Sequence, residues 1–157
     1  MAFDRAKEHL VKAGFGDRIH EFQVSSATVE LAAQAVGCEP AHIAKTLSFM
    51  VDGKAVLIVA AGDAKVDNHK YKEFFKTKAK MLSPEEVVEL VGHAVGGVCP
   101  FGVKDGVKVY LDESLKRFDV VYPACGSSNS AVKLSITDLE ACSGYLQWID
   151  VCKGWQA

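Results

Sequence analysis

The sequence predicts an α/β fold in which a mixed, strongly curved, barrel-like sheet carries helices packed outside it. Three observations lead there. Lys45–Val51 and Lys54–Ala61 flank Asp52-Gly53, the turn pair whose backbone matches the twist of a two-stranded hairpin. The second of these strands reads AVLIVAA after its lysine, apolar at every position, so both of its faces must be covered. Strands and helices then interleave without the regular βαβ rhythm of a doubly wound sheet.

The elements follow in order. Phe3, Ala6, Leu10 and Val11 recur at helical spacing, predicting an amphipathic helix over residues 3–13 that Gly14 stops. Glu21–Ser25 reads as a short strand, and Ser26 as the cap of a second helix through Ala35, ended at Gly37. Pro40 opens a short helical turn over 40–44. After the hairpin, 67–76 is helical and Ala79–Leu82 is a short strand. Ser83-Pro84-Glu85-Glu86 is a capping box with proline at its first helical position, and its helix runs to Val91 before Gly92. The last third alternates strands (Val95–Val98, Val107–Leu111, Asp119–Ala124, Ala131–Leu134) with turns at Lys104-Asp105-Gly106 and Asp112–Leu115. Thr137 and Glu140 read as a second capping box, for a helix ending near Gly144.

Length and composition set the class. A chain of 157 residues makes one domain spanning 1–157, and a domain of that size buries roughly 68–70% of its unfolded surface. Apolar residues at 49% exclude disorder, and 13 Gly with 4 Pro exclude collagen-like or low-complexity chains. The longest apolar run, Ala55–Ala61, is far short of the ~20 residues a membrane helix needs, so no membrane partner is expected. The opening MAFDRAKEHLVKAG carries charges where a signal peptide has its apolar core, and a cytoplasmic location is expected. Five scattered cysteines (38, 99, 125, 142, 152) and five scattered histidines form no C-x-x-C or C-x-x-H pair. Reduced thiols, no metal and no cofactor are expected.

Net charge is −2, against a protein that coats nucleic acid over its whole surface. Six lysines between Lys65 and Lys80 (65, 70, 72, 76, 78 and 80), with only Asp67 and Glu73 opposing, make a local +4 and leave −6 elsewhere. Such a run is either a solvated face or a patch that holds a phosphate backbone.

Three places carry possible chemistry. Strand alternation puts Lys45 in one row with Leu47, Phe49 and Val51, and a lysine in an apolar row either snorkels from the strand end or faces a pocket that takes an anionic or polar ligand. Gly96-Gly97-Val98-Cys99-Pro100-Phe101-Gly102 permits close approach to main-chain N–H groups, which suits an oxyanion, although a plain loop has the same composition. It lacks the spacings of the nucleotide-binding glycine loops. Cys125-Gly126-Ser127-Ser128-Asn129-Ser130 is a small polar turn with donors and acceptors but no general base. No Ser–His or Cys–His arrangement is local to either loop, so Cys99 and Cys125 read as loop or core thiols rather than nucleophiles.

The ordered set resembles a known family. Ala44-Lys45-Thr46-Leu47 opens a hairpin that Ala61-Gly62-Asp63 closes, the Gly96–Gly102 loop follows, then Gly126-Ser127, then Ser135–Leu139 at the start of a last helix. Over residues 20–143 this is similar to the YbaK / prolyl-tRNA-synthetase-associated editing domain in its freestanding form. The resemblance implies a trans-editing deacylase that hydrolyses the ester of mischarged tRNA, typically tRNA(Pro) carrying Ala, Cys, Ser or Thr. It implies Lys45, Gly97 and Gly102 as catalytic positions, and Thr46, Gly96, Val98, Pro100, Phe101, Gly126, Ser127 and Asn129 as substrate-binding ones. Some members carry His or Asp in or just after the later loop; here 126–134 reads GSSNSAVKL, with neither.

An aminoacyl ester needs mainly oriented water and oxyanion stabilisation, and the family implies that the substrate's ribose hydroxyl assists. Lys45 then fixes the terminal nucleotide or acyl group, and the Gly96–Gly102 backbone holds the carbonyl oxygen. Lys65, Lys70, Lys72, Lys76 and Lys78 become contacts to the acceptor end of the mischarged tRNA, with prolyl-tRNA synthetase as a further expected partner. Two other readings stay open: a non-catalytic module that binds aminoacyl-tRNA or a synthetase, and a small-molecule binding protein using the same pocket.

Overall fold

A computed structural model describes residues 2–155. Helix α1 (Ala2–Lys12) turns Ala6 and Leu10, both fully buried, onto the core. Strand β1 is Ile19–Glu21, earlier and shorter than the predicted Glu21–Ser25. Residues past Glu21 leave the ladder and are held singly, Phe22 N–H to Asn129 O at 2.7 Å and Ser26 N–H to Ser128 O at 2.6 Å. Helix α2 (Val29–Val36) is capped by Thr28, whose hydroxyl accepts from Leu31 N–H, and not by Ser26; Gly37 closes it in the left-handed region. The Ser26 hydroxyl is turned to Ser130 O instead.

After a short 3₁₀ turn at Pro40–His42 come β2 (Ile43–Val51) and β3 (Lys54–Ala61), with Asp52 and Gly53 both at positive φ as the hairpin turn demands. Every residue of β3 after Lys54 is buried, as its unbroken apolar run requires. Strand β4 (Lys65–Val66) leads into α3 (Asn68–Phe75), capped by the Asp67 carboxylate. The predicted strand at Ala79–Leu82 shrinks to one bridge, Met81 to Phe49, flanked by Met50 N–H to Lys80 O and Leu82 N–H to Ser48 O. Helix α4 (Pro84–Glu86) has the full Ser83–Glu86 capping box and widens into a π turn, Val87–Val91, closed by Gly92.

The predicted strand at Val95–Val98 is a turn. Gly96 adopts φ +95°, and Gly97 N–H bonds back to Ala94 O, so no pleat can form. Strand β5 (Lys108–Asp112), the 3₁₀ turn Glu113–Arg117 and β6 (Val120–Pro123) match expectation closely. Predicted Ala131–Leu134 splits into β7 (Ser130–Val132) and β8 (Leu134–Ser135), which pair with different strands. Helix α5 (Ile136–Cys142) begins with a Ser135–Asp138 box rather than Thr137–Glu140. Strands β9 (Trp148–Ile149) and β10 (Cys152–Lys153) complete the described chain.

The main sheet has the order β8-β6-β2-β3-β5-β9. It is mixed: β2 and β3 are antiparallel, while β2–β6, β3–β5 and β5–β9 are parallel. Two small ribbons, β1–β7 and β4–β10, lie beside it, and a bridge from Ala124 to Ala131 joins β6 to the first of them. The result is a six-stranded sheet curled into a half-barrel with the helices outside, as the sequence predicts. The core is continuous from α1 through β3 to α5, with Leu57, Ile58, Leu111, Leu115 and Leu139 wholly buried. Among the described residues no helix is long and apolar enough to cross a membrane.

Candidate functional site

A cavity of about 240 Å³ opens at the start of β2. Its walls come from the Ser26–Val29 approach to α2, the first half of β2, Met81 and Leu82, the Val95–Val98 turn and the ends of β6 and β7. Lys45 and Thr46 lie on the β2 wall, with Gly96 and Val98 on another. Segments spread from Ser26 to Ala131 along the chain therefore meet in one hollow.

Lys45 is half-buried, and its ammonium donates to Ala64 O and, at 3.5 Å, to Gly62 O. Burial lowers its affinity for the proton below that of an ordinary lysine, against the pull of Cys152 and Asp63. An ammonium has three donors, and two are taken by that turn, which leaves one uncommitted among the described residues. Gly62 must be glycine here: a Cβ would lie 2.0 Å from Pro40 O. Thr46 adds a buried hydroxyl without a hydrogen-bond partner among the described residues.

The two glycine loops are in contact. A Cβ on Gly97 would come within 3 Å of the backbone of Gly126 and Ser127, so only a bare backbone passes there. In the later loop, Ser127 Oγ bonds to Asn129 Oδ1 at 3.0 Å and to Ser130 Oγ at 2.6 Å, and Asn129 Nδ2 donates to Phe22 O. Ser130 reaches the cavity wall; Gly126, Ser127 and Asn129 stand behind it as support.

Residues 24–142 match the model of the Aminoacyl-tRNA editing domain. The chain belongs to this family. The editing domain is 50% identical over 157 residues to the uncharacterized protein YwhH of Bacillus subtilis (strain 168), covering 99% of this chain and all of that one. It is 33% identical over 90 residues to the proline–tRNA ligase of Lysinibacillus sphaericus (strain C3-41), covering 57% of this chain but only 16% of the ligase. A crystal structure described as that of a candidate trans-editing enzyme for prolyl tRNA synthetase superposes with a TM-score of 0.87 at 32% identity, covering 98% of both chains.

Not every expected position of the editing domain reaches the cavity. Phe101 is fully buried, and Gly102 packs against the Arg5–Ala6 backbone of α1, its N–H donating to His9 Nδ1 at 3.1 Å. Gly97 N–H is engaged with Ala94 O. Gly97, Pro100, Phe101 and Gly102 thus shape the loop from behind, and the residues of that loop on the wall are Gly96 and Val98. Sequence reading passed over Ser26, Ser48 and Tyr122 as site residues, all on the wall, because isolated serines and a strand tyrosine carry no spacing signal.

The lysine run divides. Lys70 Nζ bonds to Asp150 Oδ1 and to Cys152 O, both at 3.0 Å, so its charge is used within the fold. Lys65 and Lys72 are exposed on β4 and α3. Lys76, Lys78 and Lys80 are exposed along the segment that runs against β2 and delivers Met81 to the cavity wall. Contrary to the local reading, a Cys–His pair does exist in the editing domain: Cys99 Sγ lies 3.6 Å from His93 Nε2. Both side chains are fully buried, His93 Nε2 is directed to Phe101 O at 2.7 Å, and burial pushes the Cys99 thiol far up. The pair faces the core and away from water, so it braces the loop and has no nucleophile to offer.

Proposed function

We propose that this protein is a trans-editing aminoacyl-tRNA deacylase that removes a small wrong amino acid (Ala, Cys, Ser or Thr) from tRNA(Pro). The observation that carries this reading is that Lys45, Gly96 and Val98 line one small cavity. At about 240 Å³ that cavity is below the roughly 300–1,000 Å³ of pockets that enclose whole drug-sized ligands. It suits a short acyl chain with part of the terminal ribose.

In this reading water adds to the ester carbonyl, the bond from that carbon to the ribose oxygen breaks, and the ribose oxygen leaves with a proton. The free donor of Lys45 fixes the acyl group or terminal nucleotide, and the Gly96 and Val98 backbone faces the developing oxyanion. The substrate's neighbouring ribose hydroxyl orients the water, and no protein base is required. Lys76, Lys78 and Lys80 hold the phosphates of the acceptor end as it enters past Met81. The protein would act in the cytoplasm on tRNA released by prolyl-tRNA synthetase, its expected partner.

The test is deacylation of tRNA(Pro) charged separately with alanine, cysteine, serine and threonine. Hydrolysis of at least one, lost in Lys45→Ala, is the expected result. Tight binding without hydrolysis would make the protein a non-catalytic carrier, and absence of tRNA binding would leave a small-molecule pocket.

A further inference from the structure

We propose that Arg117 is a positioning residue for Lys45, acting through Asp63 and the turn from Gly62 to Ala64. The proposal rests on the reading of Lys45 as the group that meets substrate. Lys45 is not fixed by its own strand alone, because a four-carbon stem leaves the ammonium free to wander. What locates it is the pair of carbonyls at Gly62 and Ala64, on either side of Asp63.

That turn is clamped from two directions. Gly62 is pressed against Pro40 O so closely that even a methyl group is excluded. Asp63 is gripped by the Arg117 fork, Nη2 to Oδ1 at 2.6 Å and Nη1 to Oδ2 at 3.0 Å, the two parallel bonds that fix a carboxylate in orientation as well as position. Arg117 is itself held at Nε by Ser114 O at 2.9 Å and at Nη1 by Trp155 O at 3.2 Å. The rings of Phe118 and Trp155 stand 4.6 and 5.1 Å from its guanidinium carbon.

The buried Ser114 and Asp112 continue the brace. Ser114 Oγ accepts from Ala61 N–H at 3.1 Å, next to Gly62, and Asp112 accepts from Ser114 N–H and from Val151 N–H, each at 3.0 Å. The last described residues, beyond the stretch that matches the family, are thereby tied to the seat of Lys45. Arg117 is not on the wall of the cavity, so its effect on Lys45 must pass through geometry.

The experiment compares Arg117→Met, Asp63→Asn and the double variant by two readouts. The first is steady-state deacylation of mischarged tRNA(Pro). Each single variant should lose about 10–100-fold in kcat, the scale of a misplaced group, with KM changed by less than about twofold. The double variant should lose no more than the worse single one, and losses that multiply would overturn the proposal. The second readout is the ε-ammonium resonance of Lys45 in 15N-lysine-labelled protein, assigned by its loss in Lys45→Met. It should be protected from exchange in the wild type and lost or shifted in all three variants; an unshifted resonance, or none in the wild type, would also overturn it. Arg117→Lys keeps the cation without the fork and should behave like Arg117→Met, whereas full recovery by lysine would mean that charge alone suffices. Melting curves establish that each variant folds, and Asp63→Asn with Arg117→Lys carry the test if Arg117→Met does not. Should the wild type hydrolyse no mischarged tRNA, the deacylase reading fails while the resonance still decides whether Arg117 seats Lys45.

Discussion

Gly97 lies so close to Ser127 that a methyl group on its Cα would stand 2.7 Å from the Ser127 nitrogen. The contact welds the loop that reaches the cavity to the loop that supports it, and both partners are backbone, which cannot turn aside. Gly97→Ala should therefore cost about 1–3 kcal/mol, seen as a melting midpoint lower by roughly 2–10 °C, with deacylation falling alongside. An unchanged midpoint would mean that the two loops are not in contact in solution.

Lys45→Ala should abolish deacylation while leaving the melting midpoint within a few degrees of wild type. Two hydrogen bonds to carbonyls are lost, but so is the cost of holding an ammonium half-buried. Lys45→Arg should fail as well, since a planar guanidinium does not fit between the Gly62 and Ala64 carbonyls. Turnover near the wild-type rate in a folded variant would remove Lys45 from the mechanism.

Acid should act on the Arg117–Asp63 pair. Hydrogen bonding from Arg117 is the main cause that keeps the Asp63 carboxyl below its usual 3.8. Such a depressed carboxylate adds stability that is fully present above 3.8 and lost as pH falls through the lower folded-state value. Melting midpoints of wild type and Arg117→Met should thus differ most near neutral pH and converge below about pH 3.8. Curves that stay parallel into acid would contradict the pairing.

Cys99 and Cys125 should be dispensable for chemistry. Burial pushes the Cys125 thiol up to about 12 and Cys99 further, so neither supplies thiolate near neutral pH. Cys99→Ala and Cys125→Ala should each keep deacylation within about threefold of wild type. Capture of an aminoacyl thioester on either residue would force a covalent mechanism.

Salt dependence separates the lysines. Each phosphate contact steepens the fall of affinity with salt by about 0.9 on duplex and 0.7 on single strands. Lys76→Glu with Lys78→Glu should flatten the slope by about 1.4–1.8 without changing single-turnover hydrolysis at saturating tRNA. Lys70→Glu should instead lower the melting midpoint, because it breaks the bonds to Asp150 and Cys152 O. Identical slopes for wild type and the double variant would leave the 76–80 segment a solvated face.

Much of the fold was legible because its signals are local. Asp52-Gly53 dictates its turn, the apolar run of β3 dictates a central strand, and Ser83–Glu86 is a complete cap within four residues. The errors arose where a distant partner decided. Thr137–Glu140 has the pattern of a cap, but Ser135 takes the role because β8 ends there, and Glu140 is drawn to Trp148 Nε1 at 2.8 Å. Val95–Val98 has strand-forming valines at both ends, yet the glycines between them answer to the neighbouring loop. Lys45 was legible in the site because a cation breaks an apolar row. Asp63 was visible only as the close of the β2–β3 hairpin, and Arg117 and the Cys99–His93 contact were not, since nothing in the local sequence around Arg117 or His93 marks its partner.

The pairing of β4 with β10 sets an order of events. The β2–β3 hairpin closes through two residues and needs nothing beyond itself, whereas Lys65–Val66 must wait for Cys152–Lys153, more than eighty residues away. A nascent or refolding chain is therefore expected to form the β2–β3 ladder, and Lys45 on it, before the turn beneath that lysine is locked. On the proposed reading, deacylation should return after the far-ultraviolet signal when the chain is refolded.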